Sequence, residues 1–467
     1  MAELSRRLSV WSAVGVSLAL MAPSMAININ PQATSAVTGR AVPIAFLLAT
    51  VGVLLIAHTF VRLSQRFSHS GSVYAFVGVT LGPRSGAVAG WLNACTYVFF
   101  GVVTSTAAGM FLTDLARKVL APQALPDWLP FPLAWLVLIA MWVLATRDIR
   151  GGTTVLLVTE GATILLIMVV AAVTLVKLAT GSGGHHIDLS VFRIAPGTTA
   201  PDLFLGVVFG FLSFAGFEAA ATLGEETAHP HRDIPRAILA TAVLGGVFFV
   251  AVSAIAMMAF GTDTAGVTAF TNSQALMGDV AQRYVAGWVA DVIVAGAAFS
   301  AAACCLATLV GGSRLIFALS RDGMGPGTLA ELDPVRAVPR NAATACATTV
   351  AAIQLIGWAV LGAHPFDVFT IAGEAGTLIL LVAYAMACLG VLRLSKREAL
   401  IPLLGLAMLG YTVFRNVVPW PRGMSQWGPG LAIAVVLTVT AAALARPAAA
   451  QSAGVKLLER SGLQAPR

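Results

Sequence analysis

A carboxylate stands inside an apolar run at Phe214-Ala215-Gly216-Phe217-Glu218. The run enters from Phe204, resumes as Ala219-Ala220-Ala221-Thr222-Leu223, and becomes openly polar only at Glu225-Glu226. A charged carboxylate in hydrocarbon costs roughly 3 kcal/mol unless it faces a cavity, a partner or a proton. Glycine weakens the helix at the same place, and irregular backbone at membrane depth survives only where it is buried in protein or lines water. Phe214, Ala215, Gly216, Phe217 and Glu218 therefore predict a broken helix that builds a binding site. Glu218 could contact an amine or act as a gate; the alternative is a protonated carboxyl that caps a neighbouring helix.

A second interruption lies near the start of the chain, at Met21-Ala22-Pro23-Ser24-Met25. Pro23 lacks a backbone donor and clashes with the preceding turn, so the helix kinks or unwinds there. A simple proline kink is the plainer reading. Where a helix unwinds, its freed N–H groups and positive end can hold a carboxylate, and the freed carbonyls of the other stub can hold an ammonium or a cation. The core runs hold no well-placed lysine or arginine for a carboxylate, which leaves the amides after Pro23 as donors. Glu160 and Glu374 each stand about eight residues into an apolar run, roughly 12 Å deep at the helical rise. Either could carry a coupled proton, as intramembrane acids do in proton relays; either could instead be a structural hydrogen-bonding partner. Asp291 lies nearer a surface and reads as structural.

These residues need a scaffold, and the composition says which kind. Of 467 residues, 58% are apolar and 10% charged, against roughly 25% charged in soluble domains. The mean hydropathy is +0.87. The chain is an all-α polytopic membrane protein. Its net charge of +7 comes from scattered basic residues, which argues against nucleic-acid binding. Cys95, Cys304, Cys305, Cys346 and Cys388 lie in apolar runs without metal-like spacing and read as small core residues. Neither they nor His185-His186 predict a metal site, and no cofactor is expected. Arg6-Arg7 followed by an apolar run to Ala26 imitates a cleavable signal, but apolar character resumes beyond it, and the segment is read as a retained first helix.

Runs able to cross about 30 Å of hydrocarbon are expected at 10–37, 42–63, 86–114, 131–147, 153–177, 203–224, 236–260, 286–315, 342–362, 367–392, 399–416 and 427–446. That predicts 12 transmembrane helices in a single domain over 1–467. With the N-terminus inside, only Arg40, Arg117, Lys118, Lys177, Arg193, Arg283, Arg415 and Arg422 of the 28 basic residues fall outside. The positive-inside bias then puts both termini in the cytoplasm. Trp11, Trp128, Trp420 and Trp427 fall near span ends, as an aromatic belt requires. The two interruptions are five spans apart. Five is odd, so spans 1–5 (about 10–177) and 6–10 (about 203–392) would have opposite topology, a 5+5 inverted repeat with helices 1 and 6 discontinuous. Spans at about 399–446 are then two additional helices.

Four stretches carry a resemblance over nearly the whole chain. They are Ser70-Gly71-Ser72-Val73-Tyr74-Ala75-Phe76-Val77 with Leu81-Gly82 and Ala89-Gly90-Trp91; Phe214 to Glu218 with Glu225-Glu226 and Ile234-Pro235-Arg236-Ala237; Ser313-Arg314 with Ser320-Arg321-Asp322-Gly323; and Pro339 before span 9. The chain resembles permeases of the amino acid–polyamine–organocation (APC) superfamily, which have a LeuT-like fold. The resemblance implies that the broken helices 1 and 6 bind substrate and that helices 3, 8 and 10 line the cavity. Many members carry a glycine-rich break in helix 1, where this chain has Met21-Ala22-Pro23-Ser24. Some proton-coupled relatives use a lysine in the middle of helix 5; here Lys177 is at the outer end and Glu160 occupies the middle. Ser300 on span 8 could help form a sodium-like cation site with carbonyls of span 1, or simply bond its own helix. Tyr74, Asn93 and Tyr97 are polar enough to line the path. Glu225, Glu226, Arg232, Arg236 and Arg321-Asp322 could form a cytoplasmic gate or a solvated loop.

The expected function is secondary transport of an amino acid across the cytoplasmic (inner) membrane by alternating access, as a proton symporter or an antiporter. An amine or polyamine permease, ethanolamine-like in substrate, and a non-transporting amino-acid sensor are the alternatives. An enzyme is not expected: there is no HExxH or other clustered catalytic set. The partners implied are a small amino acid or amine, a proton and membrane lipid.

Overall fold

The computed structural model describes residues 10–67, 73–120, 125–147, 152–195, 197–223, 227, 229–334, 336 and 338–460. Arg6-Arg7, Ser70-Gly71-Ser72, Arg150, Glu225-Glu226 and Arg467 lie outside the described residues. Within them, every regular element is helical. The α-helices are α1 (Val10–Met21), α2 (Pro23–Thr38), α3 (Val42–Arg66), α4 (Val73–Leu81), α5 (Pro83–Leu120), α6 (Pro130–Ala145), α7 (Gly152–Thr180), α8 (Leu203–Phe214), α9 (Pro230–Phe260), α10 (Thr264–Thr271), α11 (Leu276–Tyr284), α12 (Gly287–Leu319), α13 (Arg340–Ala359), α14 (Pro365–Leu394), α15 (Leu400–Val417), α16 (Trp427–Ala445) and α17 (Pro447–Arg460).

Ten helical stretches among the described residues are long and apolar enough to cross a membrane, one of them running unbroken in hydropathy through α1, α2 and α3; α6 is shorter. This is a multi-pass membrane protein. Leu136, Leu165, Val247, Val360 and Leu437 point outward from the bundle and are exposed, as a lipid-facing surface requires. Trp11, Trp128, Trp420 and Trp427 are exposed as well. Helices α4, α10, α11 and α17 lie outside the expected crossings.

Between helices there is no net hydrophobic drive in lipid, so association depends on close packing of small residues and on interhelical hydrogen bonds. Gly206 and Gly210 of α8 do this against α2 and α3: side chains there would meet Thr34, Thr38 and Ala49. Gly296 of α12 likewise accepts Thr163 of α7, which brings α7 and its Glu160 up against the centre. Asn30 Nδ2 donates to Ser213 Oγ at 2.7 Å, and Ser213 Oγ donates to the Phe209 carbonyl at 2.9 Å. These bonds fix α2 to α8 just before the α8 chain breaks.

At the end of the bundle carrying α10 and α11, Asp188 accepts from Thr262 Oγ1 and from the Ser190 amide (2.8 Å). The Thr262 bond first, then that amide, holds the Asp188 carboxyl below the usual range. Lys118 bridges Asp114 and Asp291, both at 3.3 Å, so Asp291 is a structural ion-pair partner. At the opposite end, Arg321 pairs with Asp322 at 3.4 Å.

Candidate functional site

Pro23 explains the first break. It has no N–H, and its ring excludes helical geometry at the preceding residue. Ala22 accordingly adopts φ 47°, ψ 57°, and α2 starts afresh with Pro23 in its first turn. In a continuous helix the Ser24 amide would donate to the Leu20 carbonyl, and the Met25 amide to Met21. Both are diverted. Ser24 N–H donates to Glu160 Oε1 at 2.9 Å, and Met25 N–H makes a longer contact of 3.4 Å to Ser300 Oγ. The Leu20 carbonyl receives the Cys304 thiol at 3.4 Å. Glu160 and Ser300 are buried. A carboxylate from α7 thus sits at the positive end of α2, where the helix dipole and free amides stabilise an anion.

Glycine makes the second break. Helix α8 ends at Phe214, Gly216 has φ +100°, and the chain continues as a 3-10 helix over Phe217–Leu223. That φ belongs to glycine. The position is also crowded: a Cβ on Gly216 would lie 3.0 Å from Leu20 Cβ and 3.2 Å from its carbonyl carbon. The missing side chain therefore lets the second break press directly on the first. Ser17 Oγ of α1 then accepts from the Ala220 amide at 2.8 Å.

Glu218 is half-buried. Amides of Gly216 and of Glu218 itself hold its carboxyl from one side. On the other side the Tyr384 hydroxyl is its side-chain hydrogen-bonding neighbour, set loosely enough that neither this hydroxyl nor Glu218 Oε2 makes a bond of ordinary geometry. Tyr384 and Tyr97 both lie within electrostatic reach of Glu218. Phe217 is wedged between Phe60 and Tyr384, with ring centroids 6.1 and 5.9 Å away, which fixes the 3-10 turn and hence the carboxyl.

The structure brings Met21, Ala22, Pro23, Ser24, Met25, Glu160 and Ser300 into one cluster and sets it against Phe214, Ala215, Gly216, Phe217 and Glu218. Glu374 is elsewhere: its carboxyl lies over Gly428 at the start of α16. The amides after Pro23, expected as donors for an incoming carboxylate, already serve Glu160 and Ser300. Cys304 does more than fill space, because its thiol caps a carbonyl that the break exposes. Tyr384 and Ser17 were not among the expected site residues, nor were Asn28, Asn30 and Gln32 of α2, all fully buried. Three side-chain amides within five residues of an apolar run are a legible signal, since each must find a partner away from water. Among the described residues no three His, Cys, Asp or Glu side chains converge as metal ligands.

The arrangement offers an anion-loving helix end occupied by an ionisable carboxylate and, at the adjoining break, a second carboxylate with the Tyr384 hydroxyl beside it. Such an arrangement can bind and release charge. The amino acid permease family model matches residues 13–444. The chain belongs to that family. This family member is 26% identical over 327 residues to the low-affinity putrescine importer of Escherichia coli K12, covering 69% of each chain. It is 25% identical over 390 residues to the branched-chain amino acid permease of Bacillus subtilis, covering 79% of this chain and 77% of that one. To the vacuolar cationic amino acid transporter 4 of Arabidopsis thaliana it is 24% identical, over 68% of this chain and 52% of that protein.

Proposed function

We propose that this chain is a secondary transporter that carries a small amino acid across the cytoplasmic membrane by alternating access, with both termini in the cytoplasm and α10–α11 on the outer face. On this reading α1 with α2 and α8 with its 3-10 extension are the broken spans 1 and 6 of twelve crossings. They head a 5+5 inverted repeat of LeuT-like form, and α15 and α16 are the two additional helices. Glu218 receives the substrate ammonium, and the start of α2 receives its carboxylate.

The observation that carries the reading is the bond from the Ser24 amide to Glu160 Oε1 at 2.9 Å. A substrate carboxylate entering there competes with Glu160 for one donor. Two like charges about 4 Å apart repel by roughly 4 kcal/mol at an effective dielectric near 20. Protonating Glu160 removes that repulsion, so uptake of a carboxylate-bearing substrate is accompanied by a proton. The membrane potential alone supplies roughly 2.3 kcal/mol per charge at 100 mV, about a 50-fold gradient. It does nothing for a neutral amino acid without such a proton or an exchanged solute.

An amine substrate is the second reading, and one observation favours it. Glu218 Oε2 has only the loosely set Tyr384 hydroxyl beside it, whereas the amides of Ser24 and Met25 are engaged. A substrate with an ammonium and no carboxylate would leave both amides in place. Competition between neutral amino acids and putrescine for uptake into proteoliposomes separates the two. For the amino-acid reading, Glu160→Gln should abolish uptake driven by a pH gradient and leave exchange intact. Retention of pH-driven uptake would remove Glu160 from that role.

A further inference from the structure

Helix α11 begins without a cap of its own. Its N-cap residue is Ala275, which has no side-chain acceptor, and a helix start leaves orphan amides that need one. Asn28 of α2 supplies it from across the bundle. Its Oδ1 accepts from the Met277 amide at 2.9 Å and from the Gly278 amide at 3.4 Å. Those are the second and third residues of α11, the amides that an asparagine N-cap ordinarily satisfies.

The other end of the same amide points back to the break. Asn28 Nδ2 donates to the Ser24 carbonyl at 2.8 Å, and the Ser24 amide donates to Glu160. The orientation of the Asn28 amide is set by chemistry, because a carbonyl can only accept and an N–H can only donate. One turn further on, Gln32 Nε2 donates to the Asn28 carbonyl at 2.6 Å and reaches the Ser273 carbonyl at 3.5 Å. Thr271 Oγ1 donates to Ser35 Oγ at 3.0 Å. Positions 28, 32 and 35 share one helical face, and that face carries the α10–α11 segment.

We infer that Asn28 is a positioning residue that ties the state of the α1–α2 break to closure of the α10–α11 lid. Glu160 holds Ser24, Ser24 holds the Asn28 amide, and Asn28 holds the first turn of α11. When Glu160 releases the Ser24 amide, the Ser24 carbonyl is no longer fixed beneath Asn28 Nδ2, and the lid loses its borrowed cap. This rests on the transporter reading only for its purpose; the linkage itself is a property of the resting protein.

Amide hydrogen exchange of the full chain in lipid nanodiscs tests it, read on the peptide covering 274–284. Asn28→Ala should speed exchange of the Met277 and Gly278 amides by about five- to tenfold, the usual cost of a lost cap. Asn28→Asp keeps the acceptor for both amides but cannot donate to Ser24, so lid exchange should rise by less than in Asn28→Ala and should no longer respond to position 160. Glu160→Ala, which removes the acceptor of the Ser24 amide, should speed lid exchange at least threefold in the wild-type background and have no further effect in Asn28→Asp. Unchanged lid exchange in Glu160→Ala would overturn the linkage and leave Asn28 a local cap. Unchanged exchange in Asn28→Ala would overturn the cap as well. Should Asn28→Ala not fold, Glu160→Ala with and without Asn28→Asp decides alone. Substrate counterflow on the same samples tests the transport reading independently.

Discussion

The two helix breaks meet at Leu20 and Gly216, yet they are built in opposite ways. At the first, proline forces the interruption, and the backbone groups it frees are taken by other helices: the Ser24 amide by α7, the Met25 amide and the Leu20 carbonyl by α12. At the second, glycine allows the interruption, the charge belongs to the break itself, and one carboxyl oxygen has only the loosely set Tyr384 hydroxyl beside it. Backbone bonds that satisfy a break hold it in one state, whereas a buried carboxyl oxygen held only by a loosely set hydroxyl gains from a ligand's stronger donor. The first break therefore reads as a latch and the second as a receptor.

The sharpest way to break this comparison is to close the space between them. Gly216→Val places a β-branched residue at φ +100°, a conformation that costs of order 1–3 kcal/mol, and drives its side chain into the Leu20 backbone. The expected outcome is loss of substrate counterflow by at least about 100-fold, with a thermal midpoint lowered in detergent. A variant that transports normally would mean that the breaks need not touch.

Glu218→Gln is the next largest. Removing one partner of a buried charge pair costs roughly 2–5 kcal/mol in binding, so kcat/KM for an ammonium-bearing substrate should fall by about 100-fold. Stability should not fall with it, because the change is isosteric and deletes a charge whose Oε2 has only the loosely set Tyr384 hydroxyl beside it. Equal losses of stability and transport would make Glu218 a structural member, like Glu160 in the resting state, and would erase the distinction between latch and receptor.

Both breaks were legible in the sequence, for a local reason: proline and glycine act on their own backbone. Glu218 was legible because a carboxylate inside an apolar run has no other explanation than a site or a partner. What the breaks bond to was not. Ser24 and Glu160 are 136 residues apart, and Leu20 and Cys304 are 284 apart; such pairs depend on how α7 and α12 pack, which hydropathy does not encode. Asn28 carries no charge to mark it in an apolar run, although an unpartnered amide is also costly there. Glu374 shows the converse. Depth along a span made it resemble Glu160, but depth does not specify direction, and its carboxyl turns to α16 instead.

The smallest expected effect comes from exchanging alanine and glycine at the first break. Ala22 has φ 47° and is fully buried. A left-handed conformation costs a non-glycine residue about 1–2 kcal/mol, which Ala22→Gly would relieve. Against that, glycine loses roughly 0.5–1 kcal/mol more backbone entropy on folding, and a buried methyl is worth about 0.8 kcal/mol. The terms nearly cancel, so the thermal midpoint should move by no more than about 2 °C and transport should persist. The mirror change, Gly216→Ala, has no such compensation, since its new methyl meets Leu20 at 3.0 Å. Measured side by side, a near-silent Ala22→Gly and a damaging Gly216→Ala would show that proline sets the geometry of the first break while the bare glycine backbone sets that of the second. Equal damage from both would mean that the Ala22 methyl is itself part of the packing between them.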